Sequence, residues 1–371
     1  MSADTPTLQE DPALRRLADR IASARADRKP LCIRGGGTKD FYGEPPRGEP
    51  LTMHDLRGIS SYLPSELVIT ARAGTLLAEV EEALARHGQC LAFEPPRLGA
   101  GGGTVGGMVA AGLSGPSRAT VGCVRDYVLG VTMLNGLGET LSFGGQVIKN
   151  VAGYDVSRLM AGSMGVLGVI CEVSLKAMPI APARRTLRFE LDEARTIAQL
   201  NAWAGRPLPL NAGAWRGGTL LVRLAGARAA VDAACRTLGG ETVDAGAADT
   251  LWEAMRDQRD DFFARAADPV ARGATLWRIS VPQTTPPLGL AGDSLVDWCG
   301  AQRWLVSTQD AAAIRAAALR AGGHATRYRG GDPSVGAFAP LAAPLDRIHR
   351  ELKRAFDPDG ILNPGRMYAS L

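Results

Sequence analysis

The sequence predicts an α+β protein with a glycine-rich first domain and a second α+β domain whose antiparallel sheet is covered by helices. Three observations favour this class. Short apolar strands alternate with glycine loops and helices in the first part of the chain, without long linkers. Glycine makes up 18 of the 70 residues from Gly99 to Gly168, with no period of three. From Met178 to Pro182 onward, glycine becomes sparser and the predicted strands and helices lengthen.

The composition is that of a folded globular protein, which excludes disorder as the main state. Of the 371 residues, 46% are hydrophobic and 22% are charged, which is ordinary for a chain that forms two or three packed units. The net charge is only +4, and no five consecutive residues carry like charges. Because nucleic-acid binders usually show a clustered basic stripe, we expect no nucleic-acid partner.

The spacing of the cysteines indicates whether the protein binds a metal, and the lengths of the apolar runs indicate where in the cell it lies. Six scattered cysteines include no C-x-x-C pair, so the sequence favours neither a zinc site nor an iron–sulfur cluster, and we expect no bound metal. Residues 1–30 are charged throughout, and no run of about 18 apolar residues occurs. We expect reduced thiols, no membrane span and a cytoplasmic location, with attachment at the inner membrane only through a complex.

The first predicted element is a helix over residues 12–27. Asp11 is a suitable N-cap, Pro12 follows at the first helical position, and apolar residues then recur at helical spacing. A hairpin turn is predicted at 135–139, where the sequence reads N-G-L-G-E. The other elements predicted in this part are strands at 31–33, 67–72, 131–134 and 169–175, and a helix at 76–87.

The second part of the chain alternates between strand and helix patterns. Its predicted strands are 186–191, 219–224, 275–281 and 303–307. Its predicted helices are 194–204, 227–238, 250–267, 310–321 and 345–356. The tail after the last helix reads D-P-D-G-I-L-N-P-G-R, and a turn this specific near a terminus indicates docking rather than fraying. We therefore divide the chain into a first domain at 1–180, a second at 181–344 and a returning helix and tail at 345–371.

Three successive glycines after the first strand indicate an anion site. Residues 34–39 read R-G-G-G-T-K, and such a loop can direct several backbone N–H groups into one concavity that binds phosphate. The pattern is neither a P-loop nor G-x-G-x-x-G, and a plain surface turn is the alternative for this motif taken alone.

A second glycine-rich stretch strengthens the case for a ligand. Residues 95–118 read P-P-R-L-G-A-G-G-G-T-V-G-G-M-V-A-A-G-L-S-G-P-S-R and contain no aromatic residue. Side chains this small allow a flat or extended ligand to lie on the main chain, whereas the same ordering without a ligand would gain little packing.

The third segment completes a recognisable set. Residues 162–170 read G-S-M-G-V-L-G-V-I, and R-D-Y-V-L-G lies at 125–130. In order and spacing these segments resemble the FAD-binding domain of the vanillyl-alcohol oxidase / p-cresol methylhydroxylase (PCMH-type) superfamily, and most closely the FAD-binding subunits of bacterial glycolate oxidases. The likeness covers about the first half of the chain and extends to the tail. It implies a PCMH-type FAD-binding domain of two α/β subdomains.

The resemblance also implies which residues bind FAD. The pyrophosphate would be wrapped by the backbone N–H groups of Gly35, Gly36, Gly37, Thr38 and Lys39. The isoalloxazine and ribityl side would be lined by Pro96, Gly103, Thr104, Gly106 and Gly107, and closed by Gly112, Ser114 and Gly115. The adenosine half would meet main-chain atoms of Gly168, Val169 and Ile170.

Several departures from the family pattern bear on activity. Met108 and Gly112 stand where catalytic relatives commonly have asparagine, Met164 stands where glutamate is usual, and Cys171 stands where threonine is usual. The first glycine loop has no histidine or cysteine to attach a flavin, so we expect non-covalent FAD. The H-A-G-D-G-N-type motif of relatives that oxidise 2-hydroxy acids is missing, which argues against oxidation of substrate by this chain alone.

No catalytic residue can be assigned from the sequence. Oxidation of a 2-hydroxy acid by a flavin needs a base for the hydroxyl proton and a cation for the carboxylate. His324 and Arg278 are the only pair that we nominate in the second domain. A structural or surface histidine and a charge on a sheet rim are the favoured interpretations of the two.

Three functions are compatible with these features. The leading one is the FAD-binding subunit of a glycolate oxidase complex, acting with a larger flavin subunit and an iron–sulfur subunit in the oxidation of glycolate to glyoxylate. The second is a self-sufficient FAD-dependent dehydrogenase of a small 2-hydroxy acid such as D-lactate, which the missing motif disfavours. The third is a flavin-free scaffold, which the intact glycine loops disfavour.

Overall fold

The computed structural model describes residues 8–146 and 154–371, which form two compact units. Of the described residues, 8–113, 123–146, 154–179 and 340–371 form the first unit, and 114–122 and 180–339 form the second. Residues 114–122 thus group with the second unit, whereas the boundaries drawn from the sequence leave them in the first domain. Both units combine helices with antiparallel sheets, so the predicted α+β class is confirmed.

The elements of the described residues are as follows. The helices are α1 Pro12–Ala26, α2 Leu77–Ala85, α3 Val105–Ala111, α4 Arg118–Val121, α5 Val124–Tyr127, α6 Val156–Leu159, α7 Glu193–Ala204, α8 Arg228–Leu238, α9 Ala245–Arg256, α10 Asp261–Ala271, α11 Ala311–Arg320 and α12 Ala343–Phe356. The strands are β1 Leu31–Arg34, β2 Glu49–Thr52, β3 Ile59–Leu63, β4 Val68–Arg72, β5 Gln89–Cys90, β6 Val128–Leu134, β7 Thr140–Gly144, β8 Val169–Lys176, β9 Met178–Pro179, β10 Ala183–Glu190, β11 Leu210–Arg216, β12 Thr219–Gly226, β13 Glu241–Thr242, β14 Thr275–Ser280, β15 Asp293–Asp297, β16 Gln302–Ser307 and β17 His324–Gly330.

The first unit is built on a five-stranded antiparallel sheet. Its strand order is β3-β4-β8-β6-β7, and β1 and β2 form a separate parallel pair. The apolar face of α1 joins the same core as the central strands, with Ile21, Ile69 and Val169 fully buried. The Asp11 carboxylate accepts a hydrogen bond from the Ala13 N–H as the predicted N-cap, and it also pairs with the buried Arg72.

The second unit contains an eight-stranded sheet made of two halves with the same strand order. The first half is ordered β13-β10-β12-β11 and the second is ordered β17-β14-β16-β15. Numbered along the chain within each half, both orders are 4-1-3-2, which is the order of a split β-α-β-β-α-β motif. The second half has residues 281–292 in place of the first helix of the motif. One residue pair, Trp215 opposite Val296, joins the halves.

Helices lie on both faces of this sheet. Leu220, Val222 and Leu224 of β12 pack into a core with α7 and α8. The alternate residue Arg223 lies over Trp252 of α9, and the Trp252 indole donates a hydrogen bond to Thr186. Because side chains alternate along a strand, α9 covers the face opposite to α7 and α8.

Two predictions about elements are wrong in detail. The single helix predicted at 250–267 is two helices, because Gln258 adopts a left-handed conformation (φ 55°) and Asp260 caps the N-terminus of α10. The glycine-rich stretch at 95–118, for which no helix is predicted from the sequence, contains helix α3. Thr104 caps α3 at its start, and Gly112 ends it with φ 65°.

Candidate cofactor site

The loop that follows β1 lines a cavity of about 90 Å³ in the first unit. Residues 35–39 form one wall, α3 contributes Gly107 and Ala110, and the tail contributes Asn363 and Arg366. A smaller cavity of about 60 Å³ shares Gly35 and Gly107 with it and extends toward β8. Glycines from two segments that are distant in sequence therefore line one concave surface.

Two positions in this wall require glycine. A Cβ on Gly35 would lie 2.3 Å from the Thr104 Oγ1, which itself accepts a hydrogen bond from the Gly107 N–H at 3.3 Å. Gly37 has φ +69°, a conformation that side chains disfavour, and a Cβ there would lie 2.7 Å from an Arg34 nitrogen. The loop is thus pressed against the N-terminus of α3.

Gly107 differs from these positions. A Cβ added at Gly107 would contact only the Thr104 Oγ1, at 3.2 Å, within 4 Å, and Gly107 lines both cavities. Gly106, one residue earlier, is held by packing instead, since its Cβ would lie 2.7 Å from the Ala73 Cβ. The space that a side chain would occupy at Gly107 is therefore part of the cavity and is not filled by other protein atoms.

The charge in the cavity is positive and incompletely neutralised. Burial lowers the pKa of Lys39 to about 8, and within residues 8–146 and 154–371 no carboxylate pairs with its ammonium group. Arg34 pairs with Asp40, whereas Arg366 donates to the carbonyl oxygens of Lys39 at 3.2 Å and Asp40 at 3.1 Å. A desolvated ammonium without a counter-ion favours an anionic ligand.

The C-terminal tail also holds the glycine loop in place. The Asn363 side chain accepts a hydrogen bond from the Ile33 N–H at 2.7 Å and donates one to the Met164 carbonyl at 2.6 Å. Its backbone N–H donates to the Leu31 carbonyl at 2.9 Å. Asn363 also has φ 43°, which asparagine tolerates better than most residues. The tail therefore fixes the end of β1, from which the glycine loop departs.

A buried ion pair anchors the tail to α12. The Lys353 Nζ lies 2.7 Å from the Asp357 Oδ2 and donates to the carbonyl oxygens of Val166 and Leu362. Asp357 accepts from the Ile361 and Leu362 N–H groups. Both charged groups are almost completely buried, so each depends on the other.

The predicted site residues fall into three groups. Seven line the larger cavity: Gly35, Gly36, Gly37, Thr38, Lys39, Thr104 and Gly107. Gly106, Gly168 and Ile170 line the smaller one, together with Gly35, Thr104 and Gly107. The remaining six are not brought into either cavity: Pro96, Gly103, Gly112, Ser114, Gly115 and Val169.

The six residues outside the cavities have different surroundings. Gly103 lies beside the loop, since a Cβ there would be 3.2 Å from the Lys39 Nζ. Gly112 packs against Gly162, and Val169 is fully buried in the core. Ser114 and Gly115 belong to the second unit.

Residues that the sequence analysis did not place in the site also line the larger cavity. Asn363 and Arg366 come from the tail motif, whose likeness to the family was noted without a role for single residues. Cys32 precedes the glycine loop, and its pKa is raised by burial and then by Asp40. Its thiol is therefore protonated at neutral pH and is a poor nucleophile.

The nominated catalytic pair lies in the second unit. The Arg278 Nε donates to the Gln302 Oε1 at 2.7 Å. His324 begins β17, and its pKa is lowered by partial burial of the imidazole and by the charge of Arg278. Within the described ranges, no helix is long and apolar enough to cross a bilayer.

Comparisons with known proteins agree with these features. The model of an FAD binding domain matches residues 14–144, and the model of the C-terminal domain of FAD linked oxidases matches residues 346–367. Glycolate oxidase subunit GlcE of Escherichia coli K12 is 46% identical over 355 residues, which are 96% of this chain and 97% of that protein.

Other relatives match a smaller share of the chain. A D-lactate dehydrogenase of Archaeoglobus fulgidus is 34% identical over 40% of this chain and 33% of its own length. Glycolate oxidase subunit GlcD of Bacillus subtilis is 30% identical over 43% of this chain and 34% of its own length. A solved alkyldihydroxyacetonephosphate synthase aligns over 94% of this chain and 74% of its own with a TM-score of 0.67, and at 14% identity it shares the fold.

Proposed function

This chain belongs to the family of glycolate oxidase subunit GlcE, among the FAD-linked oxidases, and from that premise we propose that it is the FAD-binding subunit of a glycolate oxidase. The observation that carries the proposal is 46% identity along nearly the whole length of both chains. The family and the cofactor expected from the glycine motifs are thereby confirmed. The chain is an FAD-dependent oxidoreductase acting on a CH–OH group as part of a complex.

The residues of the candidate site fit FAD. The diphosphate of FAD needs convergent N–H donors and positive charge, and Lys39 is a buried ammonium group that lacks a counter-ion among the described residues. Gly36, Gly37 and Thr38 would contribute N–H groups to the diphosphate, and Gly107 would leave space for the ligand along α3. Gly168 and Ile170 line the smaller cavity, where the other half of the ligand would lie.

When bound, FAD supplies an isoalloxazine ring that accepts a hydride and passes electrons onward. The residues of this chain bind and orient it. Asn363 and Arg366 hold the backbone from which the glycine loop departs, and Thr104 fixes the start of α3 beside that loop.

The D-lactate dehydrogenase alternative has less support. The D-lactate dehydrogenases match only 36% to 40% of this chain, whereas the GlcE match extends over both units. We therefore keep glycolate oxidase as the proposed activity.

The subunit names of two relatives, GlcE and GlcD, indicate a glycolate oxidase of more than one subunit. We propose that this chain acts with a larger flavin subunit and an iron–sulfur subunit. We further propose that it lies in the cytoplasm, at the inner membrane only through that complex. Co-purification of a tagged chain with both partners tests the complex. Comparison of the amount of tagged chain before and after membranes are removed by centrifugation tests the location.

Flavin binding is tested first by acid precipitation. We expect acid to release yellow FAD into the supernatant, because the first glycine loop has no attachment residue and Cys32 is protonated. Colour that stays in the pellet would show covalent attachment.

Alkylation of cysteines tests the position of the site. FAD should slow the labelling of Cys32, which lines the larger cavity, and leave that of Cys235 unchanged. Cys235 is a matched control, because it is also half-buried with a raised pKa and lies in the second unit. Equal labelling of Cys32 with and without FAD would place the flavin elsewhere.

A further inference from the structure

A strained corner in the second unit holds a buried tryptophan. Trp298 and Cys299, directly after β15, have φ values of 52° and 54°, and Gly300 continues the turn. Two consecutive non-glycine residues in the left-handed region are unfavourable and persist only where the surroundings fix them. Here the Asp297 carboxylate accepts from the Trp298 N–H at 2.7 Å, and the indole N–H donates to the Gly115 carbonyl at 2.9 Å.

Two arginines lie against this one indole ring. The guanidinium carbon of Arg118 is 4.3 Å from the ring centroid, and that of Arg278 is 5.1 Å from it. Because both distances are measured to the same centroid, the two guanidinium carbons lie at most about 9.4 Å apart. Cation–π contact stabilises each position. Both side chains are half-buried.

Neither arginine has an acidic partner among the described residues. Arg278 is oriented by its Nε, which donates to the buried Gln302 at 2.7 Å. This leaves both Nη groups of Arg278 without an acceptor. No protein acceptor is recorded in the described part of the chain for the Arg118 guanidinium.

Three other arginines of the same unit have acidic partners. Arg216 pairs with Asp261 and Asp293, and Arg256 and Arg259 both pair with Asp257. Since partly desolvated cations usually have a counter-ion, two arginines without one at the same ring indicate that an anion binds beside them. A planar guanidinium with free terminal N–H groups matches a carboxylate.

We propose that Arg118 and Arg278, positioned by Trp298, bind the carboxylate of a small 2-hydroxy acid. The proposal rests on the proposed function for the identity of the acid, and it adds a binding site on this subunit. His324 lies on the same face of the sheet as Arg278, because it pairs with Ser280, two residues along β14.

The experiment is equilibrium dialysis of the full-length, FAD-loaded protein against radiolabelled glycolate. Saturable binding of one glycolate per chain is expected, D-lactate should compete, and the uncharged glycolamide should not. Arg118→Gln and Arg278→Gln should each weaken binding by about tenfold or more, the scale of about 1.4 kcal/mol. Arg278→Lys should recover part of the loss, because it keeps the charge without the planar donor pair.

Arg272→Gln is the matched control, because Arg272 is an exposed arginine of the same unit, at the end of α10. The FAD content of every sample is measured in parallel. A variant that keeps its FAD and loses glycolate supports the site, whereas loss of FAD in the wild-type protein would contradict the proposed function instead.

Three results would overturn the proposal. They are wild-type protein that binds no glycolate at millimolar concentration, arginine variants that bind it as the wild type does, and competition by glycolamide equal to that by D-lactate. Equal competition by inorganic phosphate would also overturn it, since that would indicate a general anion patch.

Discussion

At the scale of single residues, Lys39 makes the strongest link between charge and ligand. Burial lowers its pKa to about 8 without ligand, so the ammonium charge is lost as the pH rises through that range. A bound diphosphate stabilises the ammonium form and raises the pKa, so FAD binding takes up a proton above pH 8. FAD affinity should therefore be constant below about pH 7 and fall as the pH rises through 8.

Fluorescence titration with FAD at pH 7, 8 and 9 measures this effect. Lys39→Gln should bind FAD roughly tenfold to a hundredfold more weakly at pH 7, the range for a hydrogen bond to a charged group, and its affinity should not fall from pH 7 to 9. A variant with the same pH dependence as the wild type would remove Lys39 from the diphosphate site.

Gly107 separates ligand binding from stability. Gly107→Leu places a side chain toward both cavities and meets only the Thr104 Oγ1 within 4 Å of its Cβ. Leucine favours a helix interior over glycine by up to about 1 kcal/mol, so the FAD-free variant should be as stable as the wild type or more so. FAD affinity should nevertheless fall by at least about tenfold, because the side chain fills ligand space.

Gly101→Leu is the control for that substitution, since Gly101 is exposed, has no atom within 4 Å of a built Cβ and lies outside the cavities. Thermal unfolding with and without FAD measures both quantities. If Gly107→Leu binds FAD normally, the ligand does not lie along α3.

At the scale of elements, the contact between α12 and the tail controls the shape of the glycine loop. Lys353→Met removes the partner of a buried carboxylate and should destabilise the first unit by about 3–5 kcal/mol. FAD affinity should fall as well, because the tail carries Asn363 and Arg366 into the site.

Arg354→Met is the matched control, since Arg354 is the next residue of α12, is exposed and forms no ion pair among the described residues. Urea unfolding followed by circular dichroism compares the two variants. Equal midpoints for both would mean that the buried pair is not needed to hold the tail.

Elements with strong local signals could be predicted from the sequence. The N-cap at Asp11 and the apolar spacing after it gave α1 to within one residue. By contrast, the break between α9 and α10 depends on a left-handed Gln258, which no residue preference announces. Helix α3 was also missed, because Gly106 and Gly107 have low helix propensity and the packing of Gly106 against Ala73 outweighs it.

The candidate site was predictable where backbone chemistry is local. Three consecutive glycines followed by threonine and lysine identify an anion loop from the sequence alone. Asn363 and Arg366 lie more than 300 residues away from that loop, so only the folded chain brings them to it. The pairing of Arg118 with Arg278 around Trp298 is likewise invisible in sequence order.

At the scale of the whole molecule, the proposed role predicts binding without oxidation. Purified protein mixed anaerobically with glycolate should keep its oxidised flavin spectrum, and bleaching should begin only when the larger flavin subunit is added. The H-A-G-D-G-N-type motif is missing from this sequence, and His324 begins β17, a strand at the edge of its sheet. Rapid bleaching by the protein alone, lost in His324→Ala, would establish the self-sufficient dehydrogenase instead.

The backbone hydrogen bonds between Leu31 and the tail determine when the first unit can complete its fold during synthesis of the chain. The backbone of Leu31 bonds to both Ile361 and Asn363, and the ribosome makes every residue of the second unit between these partners. The nascent first unit must therefore wait with an open strand edge beside its glycine loop until the second unit has emerged. We therefore expect flavin loading to belong to the last stage of maturation, and a chain stalled before residue 361 should lack bound FAD however much of its core has folded.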